Sequence, residues 1–308
     1  MKAFSSSLFP LPLPEGHRFP MRKYSRLKEL VADELRLAPE ELLDAPAVPF
    51  EDLVRVHDPE YVRRVGANEL TPREVRRLGF PWSPDLVRRA YASVGASLAA
   101  ARAALAEGFG ANLAGGTHHA FRDAASGYCV FNDFSVVAKT LIARREAERI
   151  LILDLDVHQG NGTAVLMREV PGVFTVSLHG ADNFPYVKET SDLDVALASG
   201  TGDEAYLDAL ERALEETATR FGRPDLVLYL AGADPHEDDR YGRLRLTSEG
   251  LARRDARVFA EFAPHAPVAA AMGGGYGRDV EVVARIHLAT IAAGRTAYET
   301  AFARSAAG

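Results

Sequence analysis

The stretch Ile150 to Gly162, ILILDLDVHQGNG, constrains this chain more than any other. An apolar run long enough for one buried strand ends in two aspartates and a histidine, then breaks at glycine. Side chains alternate along a strand, so Asp154 and Asp156 are predicted on one face. His158 then falls just past the strand end, where the chain is free to turn toward the same point. Two carboxylates ending a buried strand are unfavourable unless a cation or hydrogen-bond donors compensate them. Carboxylate plus imidazole is a ligand set that a divalent metal accepts. Taken alone, the run also fits a solvated strand end whose Gly-Asn-Gly makes a turn.

The chain has 308 residues, ample for one sizeable core, and nothing in it demands a second domain; residues 1–308 are read as one catalytic domain. A net charge of -7 argues against a general nucleic-acid or membrane surface, so a charged substrate must be met locally. The single Cys129 excludes an internal disulfide and a thiolate zinc site, which leaves Asp and His as the ligands of any metal. No apolar stretch approaches a membrane span, and the first twenty residues lack the pattern of a signal peptide. The expectation is a cytoplasmic protein.

After an irregular, proline-rich start and helical stretches around Tyr24 to Ala38, Pro59 to Ala67 and Asp85 to Glu107, strands and helices take turns. Short apolar runs at Ala111 to Ala114, Arg149 to Asp154, Val173 to Ser177, Leu226 to Ala231 and Val268 to Met272 are predicted strands. Helical stretches at Asn132 to Arg145, Glu204 to Phe221 and Ser248 to Ala263 lie between most of them. That alternation predicts an α/β fold, a central, mostly parallel sheet with helices on both faces, in three layers. Ligands bind beyond the carboxyl ends of such strands. There the chain places GGTHH, DLDVHQGNG, SLHG, GADPHEDD and GGGYGRD, in strand order.

Each segment suggests chemistry. His118 and His119 follow a glycine-rich turn, and tandem imidazoles can act as two bases beside a metal-activated water, although a pair of surface histidines would read the same. Asp234, after the strand LVLYLAGA, can join Asp156 and His158 as a metal ligand, or simply cap a turn before Pro235. Tyr276 ends GGGY, where glycines leave room for a phenol to reach a site and donate to an oxyanion. GGGYG lacks the spacing of a dinucleotide-binding loop.

Together GGTHHAF, GYCVFND, DLDVHQGNG, TVSLHG, AGADPHEDDRYGRLRLT and GGGY resemble, in order and spacing, the histone deacetylase family of the arginase/deacetylase fold, from about Pro20 to Ala293. Gln159, Asn161 and the HRFPMRKY segment are most similar to class IV deacetylases and their bacterial relatives. The resemblance implies that Asp156, His158 and Asp234 hold one Zn2+, with Fe2+ as the other candidate, and that His118, His119 and Tyr276 are catalytic. It implies that Asp154 orients His118 and, with Ser177, forms a structural K+ site. Gly127, Tyr128, Phe184 and Gly274 would line the substrate tunnel, with Phe184 facing Tyr128, and Arg22 would lie near an internal acetate cavity.

Two departures refine the expectation. Asn161 stands where the class I pattern has a second aspartate, so His119 should hold a proton less readily. Gly160 stands where arginase needs a bridging carboxylate, so one metal is expected rather than two. The predicted function is a zinc-dependent amidohydrolase that removes an acetyl or longer acyl group from acyl-lysine in a protein or peptide. Two rivals remain: a deacetylase of small amines such as acetylpolyamines, and a catalytically silent acyl-lysine binder.

Overall fold

Ile150–Asp154 forms a strand with every residue buried, and three neighbouring strands are likewise buried on both faces. A computed structural model describes residues 1–307. In chain order the elements are β1 (Lys2–Ser5), α1 (Arg22–Leu35), β2 (Leu42–Asp44), α2 (Phe50–Leu53), α3 (Pro59–Gly66), α4 (Pro72–Leu78) and α5 (Pro84–Glu107). Next come β3 (Phe109–Asn112), α6 (Asp133–Ala143), β4 (Ile150–Asp154), α7 (Asn161–Met167), β5 (Val173–Gly180) and β6 (Leu193–Leu197). The chain continues through α8 (Asp203–Arg220), β7 (Leu226–Leu230), α9 (Ser248–Phe262), β8 (Val268–Ala271) and α10 (Val280–Ala307).

The strands make one eight-stranded sheet in the order β2-β1-β3-β8-β7-β4-β5-β6, and every pairing is parallel. Ile150 and Ile152 pack on one face with side chains of α5 and α6, while Leu151 and Leu153 pack on the other with α8, α9 and α10. This alternation between two apolar layers is why β4 reads as a continuous hydrophobic run. Helix ends follow local chemistry. Ser83 and Thr247 accept from Leu86 N and Gly250 N at the starts of α5 and α9, and Asn132 accepts from Ser135 N at the start of α6.

The expected three-layer parallel architecture is present, with differences at the margins. The strand predicted at Ala111 to Ala114 begins two residues earlier, because Gly110 lies against α5, where a Cβ would sit 2.2 Å from Ala100 O. SLHG belongs to β5 rather than to the loop beyond it. Strands β1, β2 and β6 escaped the sequence reading: β1 and β2 are very short, and β6 exposes Asp194 and Ala196. Asn161 opens α7 where a turn was expected.

Behind the carboxyl ends of β4 and β7 lies a fully buried arginine. Arg254 of α9 donates from Nη1 to Gly232 O at 2.6 Å and more weakly to Leu155 O at 3.4 Å, while its Nε donates to Asp255 Oδ1 at 2.8 Å. Asp255 also accepts from the hydroxyls of Tyr229 and Thr290, so its charge is fully engaged. One side chain thus ties together the two strand ends that carry Asp156 and Asp234.

Candidate metal centre and active site

The adjacent order β3-β8-β7-β4 sets the segments GGTHH, GGGY, GADP and DLDVH side by side at one sheet edge. β4 ends at Asp154, and the two aspartates then part company. Asp154 accepts from His118 Nδ1 at 2.6 Å, whereas Asp156 joins His158 and Asp234. His158 Nδ1 lies 2.9 Å from Asp156 Oδ1 and 3.2 Å from Asp234 Oδ2. One ligand atom from each of the three lies within 4.8 Å of the others, and all three residues are buried.

The donor set fits a divalent cation. Asp234 Oδ1 accepts from Val157 N at 2.9 Å, but Oδ2 is buried and, beyond its 3.2 Å contact with His158 Nδ1, has no hydrogen-bond donor among the described residues. An ionised oxygen left so is unfavourable, and a cation is the natural partner. Gly274, at φ +58°, floors this space: a Cβ there would lie 2.3 Å from Asp234 Oδ2 and 2.7 Å from Asp156 Oδ2. At Gly160 a Cβ would sit 2.4 Å from Asp154 Oδ2, so the backbone there packs too closely against that carboxylate and His118 to carry a side chain without a shift. His236 turns away, its Nε2 3.1 Å from Ser248 Oγ.

The tandem histidines are both buried, with their Nε2 atoms 3.1 Å apart, and each is held from behind by a different partner. Burial pulls His118 down, but the carboxylates of Asp154 and Asp156 outweigh it and hold this imidazole up at about 9. His119 is driven well below its ordinary value by burial and by the neighbouring charges of His118 and His158; its Nδ1 donates only to the neutral Asn161 Oδ1, at 2.8 Å. The two rings therefore differ in proton affinity, His118 held up by its carboxylates and His119 held down. His158 is opposed by burial yet held up at about 10 by Asp156 and Asp234, the same carboxylates that would share a cation with it.

Tyr276 stands across the site, its ring 6.3 Å from that of His158. Burial and the negative charges of Asp156 and Asp234 push its phenol well above the ordinary range, so it stays a neutral donor. Its loop is pinned by Asp239 Oδ2, which accepts from Tyr276 N at 2.6 Å, and by Arg240, whose Nε donates to Tyr276 O at 2.8 Å. Gly127 and Tyr128 both have positive φ, and a Cβ on Gly127 would meet the His119 ring at 2.6 Å. With His119, His158, Phe184 and Tyr276 they line a cleft of about 930 Å³.

Three expectations need comment. Phe184 meets His119 edge-on at 4.9 Å, Tyr128 packs with His17, Phe19, Phe80 and Tyr276, and both line the cleft. Ser177 pairs in register with Asp154 across β4 and β5, and its Oγ lies 3.0 Å from His179 Nδ1. Arg22 does not reach an internal cavity. It begins α1 on the exposed side, and the small cavity of about 60 Å³ behind Phe19 and Tyr128 is lined by Arg89 instead. The next residue, Lys23, turns inward, is 2 % exposed, and donates to the carbonyls of Gly274 and Gly275, beneath the tyrosine loop. The sequence reading missed Lys23, since nothing in HRFPMRKY marks which cation faces in.

The histone deacetylase domain family matches residues 17–293. An uncharacterized protein of Picosynechococcus is 42% identical over 93% of this chain and 96% of its own length. The histone deacetylase-like amidohydrolase of Pseudomonas aeruginosa is 31% identical over 80% of this chain and 68% of its own. Among solved structures, the histone deacetylase homologue of Aquifex aeolicus superposes with a TM-score of 0.82 at 22% identity, over 96% of this chain and 84% of that one.

Gly274→Ala is expected to weaken divalent-metal affinity by about ten- to a hundredfold while the fold persists, because the added methyl crowds both carboxylates. Metal titration followed by calorimetry, with circular dichroism as the fold check, measures this; unchanged affinity would contradict the cradle. From fold, site geometry and sequence match together, the chain belongs to the histone deacetylase family.

Proposed function

We propose that this protein is a metal-dependent amidohydrolase that removes an acyl group from the side-chain amine of acyl-lysine. The observation that carries the reading is the meeting, at one cleft, of a buried cation site, a histidine pair of opposed proton affinities and a neutral phenol. Asp156, His158 and Asp234 would hold the ion, one per chain; two carboxylates and an imidazole suit zinc or ferrous iron. Bound there, it would supply Lewis-acid polarisation of the amide carbonyl and of the attacking water.

The remaining steps belong to the chain. His119, neutral and lining the cleft, takes the proton of the attacking water on Nε2. Tyr276 donates to the carbonyl oxygen as it gains charge. His118, protonated against Asp154, supplies the proton that the amine needs as the C–N bond breaks. Asn161 in place of a second carboxylate supports kinship with the class IV branch. We place the structural K+ beside Asp154 and Ser177, a reading supported by their register.

Tyr276→Phe is expected to cut kcat by about a hundredfold or more with metal content unchanged, since it removes only the oxyanion donor. Equal turnover of an acyl-lysine peptide by both proteins would refute the role. Asn161→Asp places a carboxylate against His119 and raises its proton affinity, so neutral base is lost at higher pH. The acid limb of kcat/KM against pH should therefore move upward; a downward move would rule out His119 as the base.

A further inference from the structure

The chain is acidic overall, yet the mouth of its cleft is not. Arg76 and Arg77 from the end of α4, and Arg240 and Arg243 from the loop after β7, all line it, and all four are exposed. Among the described residues none has a carboxylate within 4.0 Å, whereas arginines such as Arg63, Arg253 and Arg257 on outer helices are paired with glutamates. The commitments these four do have leave their charge in place. Arg240 donates to the carbonyls of Tyr276 and Gly277, and the Arg77 guanidinium lies over the Phe121 ring at 5.2 Å. Asp182 is the one carboxylate among the lining residues, and it already accepts from Ser199 Oγ at 2.8 Å. Beside these cations the lip formed by Tyr186 and Val187 is 82% and 85% exposed, an apolar surface against which an extended chain can lie.

Acylation removes the charge of a lysine, so the group entering the tunnel brings none, and whatever flanks it meets the arginines. Guanidinium groups pair bidentately with carboxylates, and four like charges at one mouth act together over the screening distance of about 8 Å at physiological salt. A polyamine, which keeps its other amines charged, meets repulsion at the same place. We propose that the cleft mouth selects acyl-lysine set in an acidic peptide segment, over basic segments and over cationic acylated amines. The inference rests on the amidohydrolase reading for its substrate, but its test does not need turnover.

Three fluorescent acetyl-lysine peptides, identical except for glutamate, serine or arginine flanks, are titrated with the full-length protein by anisotropy at low and high salt. The double variant Arg76→Glu/Arg243→Glu is measured in parallel, with Arg76→Ser/Arg243→Ser in its place if the first does not fold. Hydrolysis of the peptides and of an acetylpolyamine by the metal-loaded enzyme is followed alongside. The acidic peptide should bind at least about tenfold tighter than the basic one at low salt, with the gap closing as salt rises. The Glu variant, which brings these four charges to zero, should erase the order, and the Ser variant, which halves them, should narrow it. Equal binding of all three peptides, tightest binding of the basic one, or an order unmoved by the substitutions would overturn the inference. Binding ordered by charge without any hydrolysis would leave it standing and defeat the amidohydrolase reading; equal binding with full hydrolysis would do the reverse.

Discussion

Two carboxylates held side by side out of water, Asp156 and Asp234, are the constraint on which the rest of this structure turns. Each sits just past the carboxyl end of a buried strand; Asp234 is pushed upward by burial first and by Asp156 second, whereas at Asp156 burial is outweighed by His118 and His158, which hold it below its ordinary value. The fold surrounds them with partial compensation. Val157 N donates to Asp234, His158 bridges both, and Arg254 grips the backbone of the two segments from behind. The glycines of GGGY keep the space between them clear. Among the described residues Asp234 Oδ2 has only the His158 ring, at 3.2 Å, to offset its charge, and a divalent cation would complete that compensation.

The same economy of placement divides the work of the two histidines. They are adjacent in sequence and equally buried, so their differing proton affinities come from what stands behind each ring. A carboxylate behind His118 stabilises its imidazolium; an amide behind His119 does not, and the positive neighbour across 3.1 Å further discourages a second proton. Under the proposed mechanism such a pair would hold one acceptor and one donor ready together.

Much of this was legible in the sequence because the chemistry is concentrated at strand ends. The buried runs around Leu151, Val227 and Ala269 announce a parallel sheet, and the polar residues that interrupt them could not be explained by packing. The face assignment was less secure: Asp154 and Asp156 were expected together, but the strand stops at Asp154 and the turn carries Asp156 to a different partner. Short edge strands such as β2 carry too few residues to show a period. Lys23 was illegible for another reason. Arg22 and Lys23 are chemically alike, and only the helix phase, set by packing of Leu27, Leu30 and Val31, decides which one is turned inward.

The claim most exposed to test is that one cation at Asp156, His158 and Asp234 enables hydrolysis in this cleft. Stripped of metal by chelation and titrated with Zn2+ or Fe2+, the wild-type protein is expected to begin without activity toward an acyl-lysine peptide and to reach a plateau at about one equivalent per chain. Full turnover before any metal is added, or a plateau that needs two equivalents, would contradict the account.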